Sequence, residues 1–302
     1  MDPRKQHIAP APGGPPRRRA AFCESAVWGR RIERVIVWVL LVGLGMIFLI
    51  PFLITLSDSL KTFQQIYASP RIWLPKPPQW RNYVDIFYVL PFFTFFKNTI
   101  IITLTALFGQ VASACLVGYS FARLRWPFRD LCFIVLLSTM MLPGQVTMIP
   151  IFLFFNWLGW VNTWLPIIVP AYFAVNVFNV FLMRQFFKTI PYSLEEAALI
   201  DGAGHLRILT TIMLPLAKPA VLAIIVLGFV HWWNDFMGPL IYLSDHTKYP
   251  ISLGIKMFSD AQMTNPHYIM AASLVSIIPV IILFFSAQKY FVRGIALTGV
   301  KE

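Results

Sequence analysis

The stretch from Val35 to Leu56 reads VIVWVLLVGLGMIFLIPFLITL and contains no charged residue in 22 positions. A helix rises about 1.5 Å per residue, so roughly 20 apolar residues are enough to cross the hydrocarbon layer of a bilayer. Two glycines and Pro51 interrupt the run, and membrane helices tolerate both residue types. The stretch therefore predicts a membrane-spanning helix.

Five further stretches are long and apolar, with centres free of Asp, Glu, Lys and Arg. With the first, the predicted spans are 35–56, 97–120, 131–155, 163–183, 219–239 and 269–287. Pro143 and Pro150 lie inside the third span and are predicted to be tolerated kinks. Hydrophobic residues make up 58% of the chain and charged residues 13%, whereas a soluble domain carries about 25% charged residues. We therefore predict an all-α, polytopic membrane protein with about six transmembrane helices.

The Lys and Arg residues predict the side of the membrane on which each loop lies, because cytoplasmic loops carry an excess of them. With a cytoplasmic N-terminus, most basic residues fall in inside segments, among them Arg17, Arg123, Arg129, Arg184 and Lys289. An even number of spans returns the C-terminus to the same side. We predict a multi-pass protein of a bacterial or archaeal cell membrane with both termini cytoplasmic. The net charge of +12 then reflects orientation and not a nucleic-acid partner.

Two segments are distinguished by composition. Residues 1–33 are rich in Pro, Ala and Arg and lack apolar periodicity, which predicts a disordered basic cytoplasmic tail. The apolar run that follows is too long for the core of a secretory signal, so we expect the first span to be retained. Residues 34–302 form the predicted transmembrane domain, with a cytoplasmic loop at about 191–217.

Motifs for chemistry in the membrane are missing from the sequence. It contains no GxxxxGK[ST], HExxH or GxSxG pattern and no CxxC pair among its three cysteines. We therefore predict a non-catalytic chain that binds no metal and no cofactor of its own. An intramembrane enzyme would need a nucleophile or a metal pair, and neither is found.

The loop between the fourth and fifth predicted spans reads PYSLEEAALIDGAGHLRILTTIMLP, from Pro191 to Pro215. Pro191 ends the preceding helix because it lacks an amide donor. Ser193, followed three residues later by Glu196, predicts a capping box at the start of a new helix. This helix is too polar at its start to be a span, so we expect it to lie at the membrane surface.

A sharp turn is predicted next, because Gly202 and Gly204 adopt backbone conformations that other residues resist. A second helical stretch is expected from about His205, ending by Pro215. Together the two stretches predict a short helix–turn–helix.

This loop resembles the EAA loop of ABC-importer permeases in Glu196-Ala197-Ala198, in Gly202 and in Ile212-x-Leu214-Pro215. The resemblance implies a type I ABC-importer permease fold. It also implies that the loop docks into a cleft on a separate ATP-hydrolysing subunit and transmits its closure to the spans. The implied coupling residues are Glu196, Ala197, Ala198, Asp201, Gly202, Arg207, Leu214 and Pro215.

Two further segments are similar to carbohydrate permeases of the maltose-type group. One is Trp233-Asn234-Asp235-Phe236 with Gly238–Leu243, and the other is Gln288–Gly294 with the terminal Gly299-Val300-Lys301. The resemblance covers roughly residues 35–302 and implies carbohydrate import.

The same resemblance implies an assembly with several partners. They are a second permease subunit in a heterodimer, two ATPase subunits that bind ATP and Mg, an extracytoplasmic solute-binding protein and membrane lipid. The outer loop at about 243–267 is expected to contact the binding protein.

Four polar residues in or at the ends of spans are candidates for the pore or the substrate site: Asn176, Asn179, Asn234 and Asp235. Polar groups inside a membrane face a cavity or another helix, because exposure to lipid is costly. Helix–helix bonding remains the alternative for the first two. Placement in the aromatic belt at the membrane interface remains the alternative for the other two, which follow two tryptophans.

Other transport functions stay open from the sequence. An ABC-importer permease for glycerol phosphate, a polyamine or an oligopeptide would share the loop motif. A secondary transporter is less favoured, because neither internal repeats nor ionisable residues in mid-span are found.

Overall fold

The computed structural model describes residues 17–259 and 265–298, with side chains over 33–259 and 265–288. These residues form helices and, within the described ranges, no strand. The chain divides into two units, the first ending at Ile54 and the second beginning at Thr55. In chain order the α-helices are α1 (Arg17–Ser59), α2 (Phe63–Ile66), α3 (Asn82–Val89), α4 (Phe92–Arg123), α5 (Arg129–Ser138), α6 (Gly144–Trp157), α7 (Leu165–Ile168), α8 (Val177–Thr189), α9 (Tyr192–Ile200), α10 (His205–Ile208), α11 (Leu214–Leu216), α12 (Lys218–Trp233), α13 (Met237–Tyr242), α14 (Ile251–Met257) and α15 (Pro266–Thr298).

The prediction of a polytopic all-α membrane protein is confirmed. Four helical segments of the described residues are long and apolar enough to cross a membrane: Glu33–Ser59, Phe92–Arg123, Leu165–Thr189 and Pro266–Gln288. Two further pairs of helices qualify when each bent pair is taken as one span: Arg129–Met141 with Gly144–Trp157, and His205–Leu216 with Lys218–Trp233. The described residues thus hold four to six spans, at the six places that hydropathy indicates.

The first helix begins earlier than the sequence predicts. Helix α1 starts at Arg17 and includes residues 17–33, for which a disordered tail is predicted, so the structure differs from that prediction there. Alanine and arginine are good helix formers, and a helix that an apolar span has nucleated grows one residue at a time. Residues 1–16 of the predicted tail lie outside the described residues.

The third predicted span is not one continuous helix. A 3₁₀ turn at Thr139–Met141 ends α5, Leu142 is extended at φ −79° and ψ 120°, and α6 begins at Gly144. The two halves are bent by 103°. Pro143 causes this break, since the residue before a proline is driven out of the helical region. The prediction that Pro143 is a tolerated kink is wrong, whereas Pro150 does lie inside α6.

Helix α4 lies at the centre of the second unit and packs most extensively against α8 and α12. Its buried side chains join those of both helices in one apolar cluster, which includes Ala114, Val180, Met183 and Ile224. A Cβ atom at Gly118 would lie 2.7 Å from the Cβ of Met183, so the two backbones approach more closely than a side chain permits. This contact sets the spacing of α4 and α8.

Replacing Gly118 with alanine should therefore destabilise the protein. Both the Cβ of Met183 and the amide nitrogen of Arg184 are fixed to backbone, so α4 and α8 must separate at a cost of about 1–3 kcal/mol. The measurement is the thermal unfolding midpoint of the purified protein. Gly144→Ala is the matched control, because a Cβ there meets nothing within 4 Å. Equal midpoints for the two variants would contradict the close packing.

Candidate functional site

The segment that resembles the EAA loop begins at a proline. Pro191 is extended at φ −57° and ψ 137°, and α9 starts directly after it at Tyr192. The helix has no side-chain cap, so the prediction of a capping box from Ser193 to Glu196 is wrong. Because α9 starts one residue before Ser193, that hydroxyl lies inside the first turn and not at the cap.

The predicted turn after α9 is confirmed. Gly202 has φ +79°, in the left-handed region that favours glycine, whereas Gly204 keeps a negative φ of −74° and precedes α10. The helical stretch that follows ends at Leu216, one residue after the predicted Pro215. It continues through a π-helical turn, Leu209–Met213, to Leu216, and then bends by 82° into α12. Pro215 is the second residue of α11, which directly follows the π-helical turn.

The predicted coupling residues do not all face the same way. Glu196, Ala197, Asp201, Gly202, Arg207 and Pro215 are exposed, and Leu214 is half-buried. Ala198, in contrast, is buried in the apolar cluster with α4 and α8. We name the exposed face of α9 and its turn, which carries Glu196, Ala197, Asp201 and Gly202, the α9 face. Ala198 anchors this face to the core and does not belong to it.

The acidic residue next to Glu196 lies on the opposite side of α9. Glu195 is 5% exposed, and Tyr119 of α4 donates a hydrogen bond of 2.9 Å from its hydroxyl to Glu195 Oε1. Sequence reasoning missed this residue. The sequence carried no signal for it, because the side of α9 that faces the core is set by the packing of Ala198 against α4 and α8.

A cavity of about 400 Å³ opens where α4, the end of α5, the start of α8 and the end of α12 meet. Its polar lining consists of Gln110, Thr139, Asn176, His231 and Trp232. The remaining lining side chains are apolar and include those of Val175 and Val177, the two neighbours of Asn176 in the chain. This cavity lies near the middle of the long helix α4.

The orientation of Gln110 is fixed by its neighbour. Trp232 donates an indole hydrogen bond of 2.7 Å to Gln110 Oε1, which leaves the amide group of Gln110 free to donate. A glutamine in the middle of a 32-residue membrane helix was the sequence signal for this site, because intramembrane polar groups are functional candidates. The sequence reasoning did not select Gln110, His231 or Trp232.

Asn176 is the one predicted pore residue that the structure brings to this cavity. Its side-chain oxygen accepts a hydrogen bond of 3.4 Å from the backbone N–H of Asn179, which caps α8. Ala174, at φ +55°, interrupts the fourth span just before this cap. The amide group of Asn176 therefore remains available to a ligand.

The other three predicted pore residues lie elsewhere. Asn179 is buried at 3% exposure and does not line the cavity. Asn234 donates a hydrogen bond of 2.8 Å to the carbonyl oxygen of Val230 at the end of α12. The Asp235 carboxylate accepts the backbone N–H of Gly238 at 3.2 Å. Asn234 and Asp235 thus terminate one helix and begin the next.

The loop after α13, which is predicted to be an outer loop, contacts Asn162, the residue just before the fourth predicted span. Asn162 Oδ1 accepts the backbone N–H groups of Ser244 and Asp245, at 3.2 and 3.1 Å. The Thr247 hydroxyl and backbone N–H both donate to Asp245, which holds the pKa of that carboxyl below its usual value. Residues 260–264 of the predicted loop, and the terminal Gly299-Val300-Lys301, lie outside the described residues.

A family model described as a binding-protein-dependent transport system inner membrane component matches residues 114–297. The chain belongs to this family. The matched range contains the α9 face and all of the cavity lining except Gln110.

Individual relatives extend the similarity over most of the chain. The arabinooligosaccharide transport system permease AraQ of Halalkalibacterium halodurans is 29% identical, over 90% of this chain and 99% of the relative. The sn-glycerol-3-phosphate transport system permease UgpE of Yersinia pestis is 29% identical, over 76% of this chain and 84% of the relative. A solved bacterial ABC transporter that imports the acidic polysaccharide alginate contains a chain that is 30% identical. It superposes with a TM-score of 0.76 over 87% of this chain and 98% of that one.

Proposed function

We propose that this chain is one of two transmembrane subunits of an ATP-driven importer that takes up a carbohydrate. Membership of the binding-protein-dependent family supports the importer, and the names of AraQ and of the alginate transporter support the solute class. The observation that carries the proposal is the pairing of an exposed α9 face with a membrane cavity lined by amide, hydroxyl, imidazole and indole groups.

The proposed assembly contains a second permease subunit, two ATPase subunits that bind ATP and Mg, and an extracytoplasmic solute-binding protein. The solute pathway lies between the two permeases, and this chain performs no chemistry itself. Closure of the ATPases on ATP moves the α9 face and switches the spans between inward-open and outward-open arrangements. The loop that Asn162 holds is proposed to contact the binding protein.

The lining of the cavity favours a sugar over the other candidate solutes. Among the lining residues that the structure describes there is no Asp, Glu, Lys or Arg. A glycerol phosphate would require a cationic partner, and a polyamine would require carboxylates, because a charge out of water must be paired. Amide and indole groups instead match hydroxyl groups, and Trp232 adds an aromatic face.

The basic residues support the proposed orientation. Arg184 donates to the carbonyl oxygen of Phe121 and lies beside Asp130, which also pairs with Arg129. The end of α4, the start of α5 and the end of α8 carry basic residues and lie together at one end of the second unit. By the positive-inside rule this end is cytoplasmic, and both termini are proposed to lie on the same side. Protease accessibility of a C-terminal tag in sealed vesicles tests the assignment.

Uptake by the assembled importer in proteoliposomes tests the solute class. We expect MgATP-dependent accumulation of a labelled neutral arabino-oligosaccharide and none of glycerol 3-phosphate or putrescine, with the matching binding protein supplied in each case. Because UgpE is as similar to this chain as AraQ, accumulation of glycerol 3-phosphate alone would replace the carbohydrate proposal.

Replacing Asn176 with alanine should weaken solute binding in the pathway. A lost neutral hydrogen bond is worth about 0.5–1.5 kcal/mol, so the KM for uptake should rise roughly threefold to tenfold. Asn176→Ser keeps a helix cap and separates this loss from destabilisation of α8. Asn234→Ala is the control outside the cavity and should leave the KM unchanged. Equal KM values for Asn176→Ala and Asn234→Ala would exclude Asn176 from the pathway.

A further inference from the structure

The inner side of α9 is attached to α4 through a polar cluster formed by the buried Tyr119, Arg123 and Glu195 and the exposed His205 at its edge, which we name the Glu195 cluster. Tyr119 donates its hydroxyl to Glu195 Oε1 at 2.9 Å, and Arg123 Nε lies 3.7 Å from Glu195 Oε2. His205 Nδ1 lies 3.9 Å from Glu195 Oε1 and 3.4 Å from the Tyr119 hydroxyl. The cluster therefore connects α4, α9 and α10.

Arg123 extends the attachment to the preceding span. Its guanidinium donates hydrogen bonds to the carbonyl oxygens of Phe187 and Ile190, where α8 ends. The same group lies 4.2 Å from the centre of the Tyr192 ring, and the Tyr192 hydroxyl donates to the carbonyl oxygen of Ala122 at 3.2 Å. The end of α4 is thus bonded to both sides of the junction at Pro191.

Three of the four side chains of the cluster are shielded from water, whereas that of His205 is 53% exposed. The Arg123 side chain is 0% exposed and the Glu195 side chain 7% exposed. Their contact is an ion pair at 3.7 Å and not a hydrogen bond, and removal of either partner would leave the other charge buried without compensation. Glu196, one residue further along, is exposed and makes no such contact within the described residues. Two adjacent glutamates on α9 therefore have opposite environments.

Helix α4, which carries Tyr119 and Arg123, also reaches the cavity. Gln110 and Tyr119 lie nine positions apart on α4, a distance of about 13 Å at 1.5 Å per residue. No loop separates them, so a displacement of the end of α4 is carried to Gln110 and to the indole of Trp232 that it binds.

We propose that Glu195 is a positioning residue that locks α9 to α4, so that force applied to the α9 face moves α4 and the cavity lining as one body. This inference rests on the proposed function, in which an ATPase pushes on the α9 face. It assigns separate roles to the two glutamates: Glu196 contacts the partner, and Glu195 transmits the motion within this chain.

A distance measurement tests the lock without knowledge of the solute. Spin labels are attached to Leu104→Cys on α4 and Ile200→Cys at the end of α9, which are 54% and 86% exposed. Cys23, Cys115 and Cys132 are replaced by alanine, and the full chain is assembled with its permease and ATPase partners. Pulsed electron resonance then gives the distance between the labels without nucleotide and after trapping with MgATP and vanadate.

With native Glu195, we expect one narrow distance distribution that is the same in both states. In Glu195→Gln the distribution should broaden or shift between the states by about 5 Å, the rise of one helical turn. Glu196→Gln, the same change on the exposed side, should keep the native distribution. Tyr119→Phe removes one hydrogen bond and keeps the ion pair, so it should broaden the distribution less, and it serves if Glu195→Gln fails to assemble.

Two results would overturn the proposal. One is a large change of distance between the states with native Glu195, which would mean that α9 moves independently of α4. The other is a native distribution in both Glu195→Gln and Tyr119→Phe. Failure of the proposed function would look different from either result. In that case the ATPase would not copurify with the native chain at all.

Discussion

Glu196→Lys should abolish ATP-dependent uptake by the assembled importer while the subunit remains in the membrane. Glu196 is exposed on the α9 face, and its side chain makes no hydrogen bond or ion pair within the described residues. Its charge is therefore available to a partner. A carboxylate at this place can accept the two parallel hydrogen bonds of an arginine. Reversal of its charge replaces attraction by repulsion, which costs roughly 3 kcal/mol or more, about a hundredfold in affinity.

The measurement has two parts, copurification of the ATPase with the tagged permease and uptake in vesicles. Thr189→Lys is the control, because it adds a positive charge at an exposed position before Pro191 and outside α9. It should leave both readouts near the native level, and an immunoblot of the membrane fraction should show equal amounts of both variants. Native uptake by Glu196→Lys would remove the α9 face from the coupling mechanism.

The sequence alone was enough to predict the class of fold and the places of the spans. Both follow from length and hydropathy, which the bilayer thickness translates directly into helices. Hydropathy does not report bends, because a broken helix and a straight one bury the same apolar residues. The break at Leu142 and Pro143 was thus missed, although the proline was noticed.

The faces of the helices were harder to predict than their positions. A helix that is apolar all round has no amphipathic stripe from which to read a buried side. Sequence similarity marked Glu196 and left its neighbour Glu195 unassigned. The contact that defines Glu195 is a hydrogen bond to Tyr119, 76 residues earlier in the chain. Such a pairing depends on the packing of α4, α8 and α9, which no local pattern encodes.

The same limit explains the candidate pore residues. The sequence named both Asn176, inside the fourth predicted span, and Asn234, near the end of the fifth, as candidate pore residues. One begins α8 beside the cavity, and the other ends α12 away from it. Gln110, which does line the cavity, lies in the middle of the second predicted span, 97–120, and was not selected. Whether one of these residues lines the cavity depends on which helices pack together around it. Only the three-dimensional structure gives that packing.

Arg123→Met should destabilise the protein more than any other single change considered. Its side chain is fully buried, so the substitution leaves Glu195 without its counter-charge and the carbonyl oxygens of Phe187 and Ile190 without their donor. Removal of one partner of a buried ion pair costs about 3–5 kcal/mol. We expect a markedly lower thermal midpoint for the purified complex and a lower amount of the subunit in membranes.

Arg125→Met is the matched control, since Arg125 is exposed and makes no ion pair within the part of the chain that the structure describes. Its midpoint should stay near the native value. The double variant Arg123→Met/Glu195→Gln removes both charges and should be more stable than Arg123→Met alone, because no charge is then buried unpaired. Only part of the loss should be recovered, since the two carbonyl oxygens still lack a donor. If the double variant is instead no more stable than Arg123→Met, the two residues act independently. Arg123 would then hold the end of α8 alone and not the charge on α9.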